Sequence, residues 1–102
     1  MHFSAITAAL LFGAVANAYE IVVYSDVGWT GAEASFTYDG RHYLDFVGHS
    51  WEFLSPGGDG CCVRFCYGGE PVGYRCSQSS NYRSSSPIDE VVTGCGDTQL
   101  DC

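Results

Sequence analysis

Six cysteines, Cys61, Cys62, Cys66, Cys76, Cys95 and Cys102, are the residues whose type and spacing speak most directly to chemistry. They run Cys-Cys-x3-Cys-x9-Cys-x18-Cys-x6-Cys, with no Cys-x2-Cys pair of the kind zinc sites favour. An even count in a short chain reads instead as three disulfides. Adjacent Cys61 and Cys62 are expected to bond to different partners, because a bond between neighbours needs strained geometry. Six cysteines allow more pairings than spacing can choose among.

The other reactive side chains form no catalytic set. His42 and His49 flank Asp45, but in a strand His42 and Asp45 point to opposite faces. Ser50 follows His49 without the Gly-x-Ser-x-Gly turn that exposes a nucleophile. Catalysis needs nucleophile, base and orienting group together, so no enzyme and no cofactor are expected. Binding is better served. Tyr67, Tyr74 and Tyr82 stand beside turns or a serine-rich stretch, where an exposed ring can anchor a protein or stack on a sugar. The plainer role for each is an ordinary surface tyrosine. Arg75 and Arg83 are candidates for carboxylate recognition, or partners of nearby acids.

Charge narrows the partners. Four basic residues stand against twelve acidic ones, a net charge of −8. A basic face for nucleic acid is missing, and so is the attraction that draws cationic peptides to anionic membranes. The expected partner is a protein or carbohydrate outside the cell, met by a monomer.

The compartment follows from the first residues. Phe3 to Val15 are nearly all apolar or small, and no charged residue precedes Glu20. The run is shorter than the ~20 residues that span a bilayer, and it ends in Ala16-Asn17-Ala18, small residues where signal peptidase needs them. Residues 1–18 read as a secretory signal peptide, although no Lys or Arg precedes the apolar run. Residues 19–102 read as one domain, in an oxidising compartment that suits disulfides. A domain of that size buries only about 60–65% of its unfolded surface, so covalent bracing matters.

The elements that must position these residues are strands. No stretch after residue 18 repeats apolar residues at i, i+3, i+4 and i+7. Short β-type runs recur between glycine-rich turns instead: 19–25, 33–38, 42–47, 51–54, 61–67, 72–77 and 88–93. Asp39-Gly40 signals a hairpin between the second and third of these. Residues 55–60 cannot be regular and divide the chain in two, while 77–87, with six serines, reads as a polar loop. In 61–67, alternation puts Cys62, Arg64 and Cys66 on one face and Cys61, Val63 and Phe65 on the other. The fold class is all-β, a small disulfide-braced sandwich or barrel.

The first half adds a motif. Tyr24, four residues, Trp29, one residue and Gly31, with Phe36 following, resembles the Greek-key motif of the βγ-crystallin superfamily. The resemblance implies a Greek-key β-sandwich in which Tyr24 and Trp29 stack and Gly31 takes a positive φ. Trp29 and Ser25 depart from the residues usual there. In the second half, Phe65 and Gly73 are one residue too far apart, and Pro71 replaces the second aromatic. Some members bind calcium through paired acidic residues followed two residues later by Ser or Thr. Asp89, Glu90 and Thr93 fit that pattern in part, though Gly94 stands where the serine would follow, and solvated carboxylates at the start of a strand are the simpler reading. Small secreted members include killer-toxin-like and effector-like proteins of fungi and bacteria. The resemblance thus implies a secreted effector or virulence factor that acts by binding a target in another organism, the alternatives being a calcium-binding structural domain of that type and a carbohydrate-binding or inhibitory module.

Overall fold

A computed structural model describes residues 19–56, 60–96 and 99–102. The signal peptide expected at 1–18 lies outside the described residues, as does 57–59 of the expected divider. Eight strands follow in order: β1 (Glu20–Asp26), β2 (Thr30–Phe36), β3 (Gly40–Gly48), β4 (Ser50–Leu54), β5 (Cys61–Tyr67), β6 (Glu70–Arg75), β7 (Ser79–Asn81) and β8 (Ile88–Cys95). They form two four-stranded antiparallel sheets, β2-β1-β4-β7 and β3-β8-β5-β6. No helix among the described residues is long and apolar enough to cross a membrane.

The strand order repeats. Moving four strands along the chain turns β2-β1-β4 into β6-β5-β8. The third strand of each half leaves its own sheet, so β3 pairs with β8 and β7 pairs with β4. Each half thus supplies three strands of one sheet, and the fourth comes from the other half of the chain.

Alternation builds the core. Ile21 and Val23 of β1, Trp51 and Phe53 of β4, and Cys61, Val63 and Phe65 of β5 face one another between the sheets, with Tyr19, Ile88 and Val91. The Trp51 and Phe65 rings lie 4.6 Å apart. Each such side chain stabilises the fold by about 1.5–3 kcal/mol through removal from water.

The three expected disulfides are present, as Cys61–Cys95, Cys62–Cys76 and Cys66–Cys102. The two neighbours do take different partners. The faces of β5 also divide as alternation requires. Cys61 joins the main core, while Cys62 and Cys66 sit on the outer face with Val92, Leu100 and Cys102. Arg64 Nε donates to Leu100 O at 3.2 Å, and Arg41 Nη2 donates to Asp101 O at 2.9 Å. Arg41 also pairs with the buried Glu90. Residues 99–102 thus form a strap, held over the outer face by two arginines and one disulfide.

Three sequence expectations are corrected. The Asp39-Gly40 hairpin is absent: β2 pairs with β1 and β3 with β8, so the chain crosses from one sheet to the other at this point. The crossing is organised by His42, only 5% exposed, whose ring stacks on Phe36 at 4.2 Å and meets the edge of Tyr38 at 4.7 Å. His42 Nε2 lies 3.0 Å from Tyr38 O, which can only accept, so Nε2 carries the hydrogen. Second, β6 begins at Glu70 rather than 72, because Gly68 and Gly69 both take positive φ and close a two-residue turn. Pro71 is tolerated because β6 is an edge strand. Third, the serine-rich loop contains β7, which owes its existence to backbone pairing with β4 rather than to any apolar pattern.

Two outcomes follow. Replacing Cys66 and Cys102 together by Ser is expected to lower unfolding free energy by about 2–4 kcal/mol, because the bridge closes a long loop. Denaturant unfolding of the oxidised proteins measures this, and an unchanged midpoint contradicts it. The second concerns pH. Burial holds the His42 imidazole below its usual pKa of 6.5, so it stays neutral in the fold. Below about pH 6.5 the unfolded chain binds a proton that the folded chain refuses, so stability falls with pH. Thermal melts at pH 7.5 and 5.5 are expected to show a drop that shrinks in His42→Gln.

Candidate functional site

The surface best suited to binding is built on the tip of the β1–β2 hairpin. Val27, Gly28 and Trp29 form this tip, and Gly28, Trp29 and Gly31 all have positive φ, at 75°, 59° and 89°. For glycine that conformation costs little; for a bulky residue such as Trp29 it costs about 1–2 kcal/mol. A side chain at Gly31 would also collide with Ser25 Oγ and the Asp26 carboxylate.

Ser50 holds the strained tip. The β1–β4 register sets Ser50 opposite Tyr24. Its Oγ accepts from Trp29 N at 3.0 Å and donates to Asp26 O at 2.6 Å. Ser25 Oγ accepts from Ala32 N at 2.8 Å, and Thr30 Oγ1 donates to Val27 O at 2.9 Å. His49 Nδ1 lies 2.7 Å from Ser25 O, so Nδ1 carries the hydrogen. Trp29 Nε1 donates to Trp51 O at 3.2 Å, which fixes the indole ring while leaving it 40% exposed.

The segment after β7 completes the surface. Gly28 N donates to Tyr82 O at 2.7 Å and Ser84 N to His49 O at 2.9 Å, so the hairpin tip and the link between β3 and β4 together hold residues 82–84. Tyr82 is 61% exposed and meets the Trp29 ring edge-on, with centroids 6.3 Å apart. Val27 is exposed in the same tip. Two aromatic rings thus stand in the open on a backbone that is hydrogen-bonded from beneath.

This arrangement corrects the expected stacking of Tyr24 on Trp29. Tyr24 donates its hydroxyl to Glu52 Oε1 at 3.0 Å, and its pKa is pushed up to about 12 by burial and then by Glu52. Trp29 packs on Tyr82 instead, because Ser50 and Trp51 O hold it toward β7. The positive φ expected of Gly31 is present.

The other candidates divide into groups. Arg75 lies over the Trp51 ring at 5.5 Å and lines a cleft with Asn81, next to Tyr82 in the chain. Tyr74 is exposed beneath the Arg64 guanidinium, 4.4 Å from its ring centre, and takes no part in that cleft. Tyr67, also exposed, ends β5 and lines no part of it either. Arg83 donates its backbone N–H to Asn81 Oδ1 at 3.1 Å.

The calcium candidates are engaged elsewhere. Asp89 Oδ2 accepts from Gly68 N at 3.2 Å, Glu90 pairs with Arg41, and Thr93 Oγ1 donates to Tyr38 O at 2.9 Å. Among the described residues, no three His, Cys, Asp or Glu side chains gather as a metal site.

Sequence reasoning missed Val27 and the exposure of Trp29, and dismissed Ser50 as a failed nucleophile. The available signal was an apolar pair, Val27 and Trp29, set among Gly28 and Gly31, where a turn has no core to fill.

No protein-family model, curated protein or solved structure matches this chain. The fold and site define the class: a small disulfide-braced β-sandwich with an exposed aromatic pair at a hairpin tip.

Ser50→Ala is expected to lower stability by about 1–3 kcal/mol, since it strands Trp29 N and removes a donor from Asp26 O. Faster hydrogen exchange at the Trp29 amide, measured beside a denaturant melt, checks it. Unchanged exchange there is the contrary result.

Proposed function

We propose that this chain is a secreted, disulfide-braced Greek-key protein of βγ-crystallin type that binds a target outside the cell, in the manner of small effector or toxin-like proteins. The signal-like residues 1–18, three disulfides and a strong negative charge support the extracellular setting. The Tyr24-x4-Trp29-x-Gly31 motif supports the family reading, as do the positive φ of Gly31 and the two-half strand order with exchanged third strands.

The observation that carries the binding role is the Trp29–Tyr82 pair. Tyr and Trp supply large contact area with few rotatable bonds, and they dominate binding hot spots. Here the pair is exposed, yet its backbone is held by Ser50 and Gly28, and the Trp29 indole by Trp51 O. Little conformational entropy remains to be lost on binding, which is the condition for affinity from a small patch. A left-handed Trp29 is a strain that the hairpin tolerates, and such strain clusters at functional positions.

Retention of the labelled mature protein by plant, fungal and bacterial cell surfaces tests the proposal. Saturable binding is expected to one class of surface. Tyr82→Ala and Trp29→Ala are expected to weaken it by about thirtyfold, the equivalent of a ~2 kcal/mol hot spot. Tyr82→Ala should melt as the parent does. Equal retention of both variants and parent would overturn the role of this surface.

A further inference from the structure

The two sheets end on one side in the edge strands β6 and β7, and a cleft of about 70 Å³ opens there. Trp51 and Phe65 line it together with Arg75, Asn81, Ser84 and Ser85. We propose that this cleft receives a single carboxylate, the free C-terminal carboxylate of a peptide, with Arg75 as the recognising group. The proposal deepens the binding role above by naming a ligand group, and it rests on that role only for its biological purpose.

Charge makes the first case. Twelve acidic residues compete for four arginines. Arg41 is taken by Glu90 and Asp101 O, and Arg64 by Leu100 O. Arg75 and Arg83 both have no carboxylate partner among the described residues, but of the two Arg75 lines the cleft, where its Nη1 donates to Tyr74 O at 2.8 Å. No Asp or Glu lines the cleft, in a chain with a threefold excess of acids. An arginine left unclaimed amid that excess, at the mouth of an acid-free cleft, is set up for an anion from outside. Its guanidinium has further N–H groups in a planar fork that matches a carboxylate.

The remaining polar groups agree. Asn81 Oδ1 already accepts from Arg83 N, which leaves its Nδ2 to donate. Ser84 Oγ spends its one hydrogen on Ser86 O at 2.6 Å, so the hydroxyl donor of the lining is that of Ser85. The cleft therefore offers donors around one cation, with the Trp51 and Phe65 rings for the carbon that carries the anion.

Size and net charge choose the ligand. A whole small molecule needs a pocket of about 300 Å³ or more, so this cleft holds one polar group and the atoms next to it. A polyanion such as a uronic-acid polymer would be repelled by a net charge of −8. A peptide terminus presents one carboxylate only. The cleft also opens between two edge strands, whose unpaired backbone groups suit an extended chain.

The test is an NMR titration of the oxidised, 15N-labelled mature protein with acetyl-Ala-Ala-Phe as free acid, the same peptide as C-terminal amide, and galacturonate. The free acid is expected to shift the Asn81, Ser84 and Ser85 amides saturably, at least tenfold more tightly than the amide. Arg75→Gln should abolish that preference and lower the melt only slightly, since Arg75 is exposed and gives up only its contact over the Trp51 ring and its bond to Tyr74 O. Arg75→Lys should restore it only in part. Acid and amide binding alike, or neither binding, would overturn the carboxylate site. Galacturonate binding as tightly as the free acid would overturn the peptide assignment. Tyr82→Ala should keep the carboxylate preference, so failure of the cell-surface reading leaves this result standing, and the reverse.

Discussion

Strand β5 is covered on both faces along most of its length, and the rest of the molecule is arranged around that constraint. Cys61, Val63 and Phe65 fill the space between the sheets, while Cys62, Arg64 and Cys66 look outward. A two-layer sandwich of this size covers only the inner face. The outer face is covered here by the chain's own strap at 99–102, tied by Cys66–Cys102 and by the carbonyl contacts of Arg64 and Arg41. The other two bridges meet the same strand, Cys61 to β8 and Cys62 to the segment after β6. All three disulfides therefore radiate from one strand. That placement ties local order in β5 to contacts that are distant in sequence.

Exchange of the third strands gives this brace its reach. Because β3 completes the second half's sheet and β7 the first half's, strain or disorder in one half is felt by the other. The cost is an incomplete seam. On one side, Phe36, Tyr38 and His42 close the sandwich with stacked rings. On the other, the short β7 and the proline-bearing β6 leave a cleft. The exposed aromatic pair stands beside that open side. Binding residues have been gathered where packing is thinnest, on loops held by a rigid frame.

The hairpin tip shows how a few hydrogen bonds convert a turn into a surface. Trp29 is kept in a left-handed conformation that an isolated peptide would abandon. Ser50, buried and 21 residues from Trp29 in sequence, supplies the compensation through Trp29 N and Asp26 O. Trp51 O, accepting from the indole Nε1, fixes where the ring points, and Trp29 meets Tyr82 rather than Tyr24.

The all-β class, seven of the strands, the need for three disulfides and the split faces of β5 were legible in the sequence. Each depends on local periodicity or on composition, which a chain carries without folding. The partners of those elements were not legible. Asp39-Gly40 had the residues of a hairpin, yet the chain crosses between sheets there, where Phe36 stacks on a buried His42 and Tyr38 meets it edge-on, and this packing outweighs a local turn preference. Strand β7 carried no apolar pattern at all and exists only because the edge of β4 accepts it. The disulfide pairing, the employment of Glu90 and Thr93 inside the fold, and the meeting of Trp29 with Tyr82 all join residues far apart in the chain. Composition and spacing determine what each segment can become; only the tertiary structure decides which segments meet, because that choice is made by packing across the whole core.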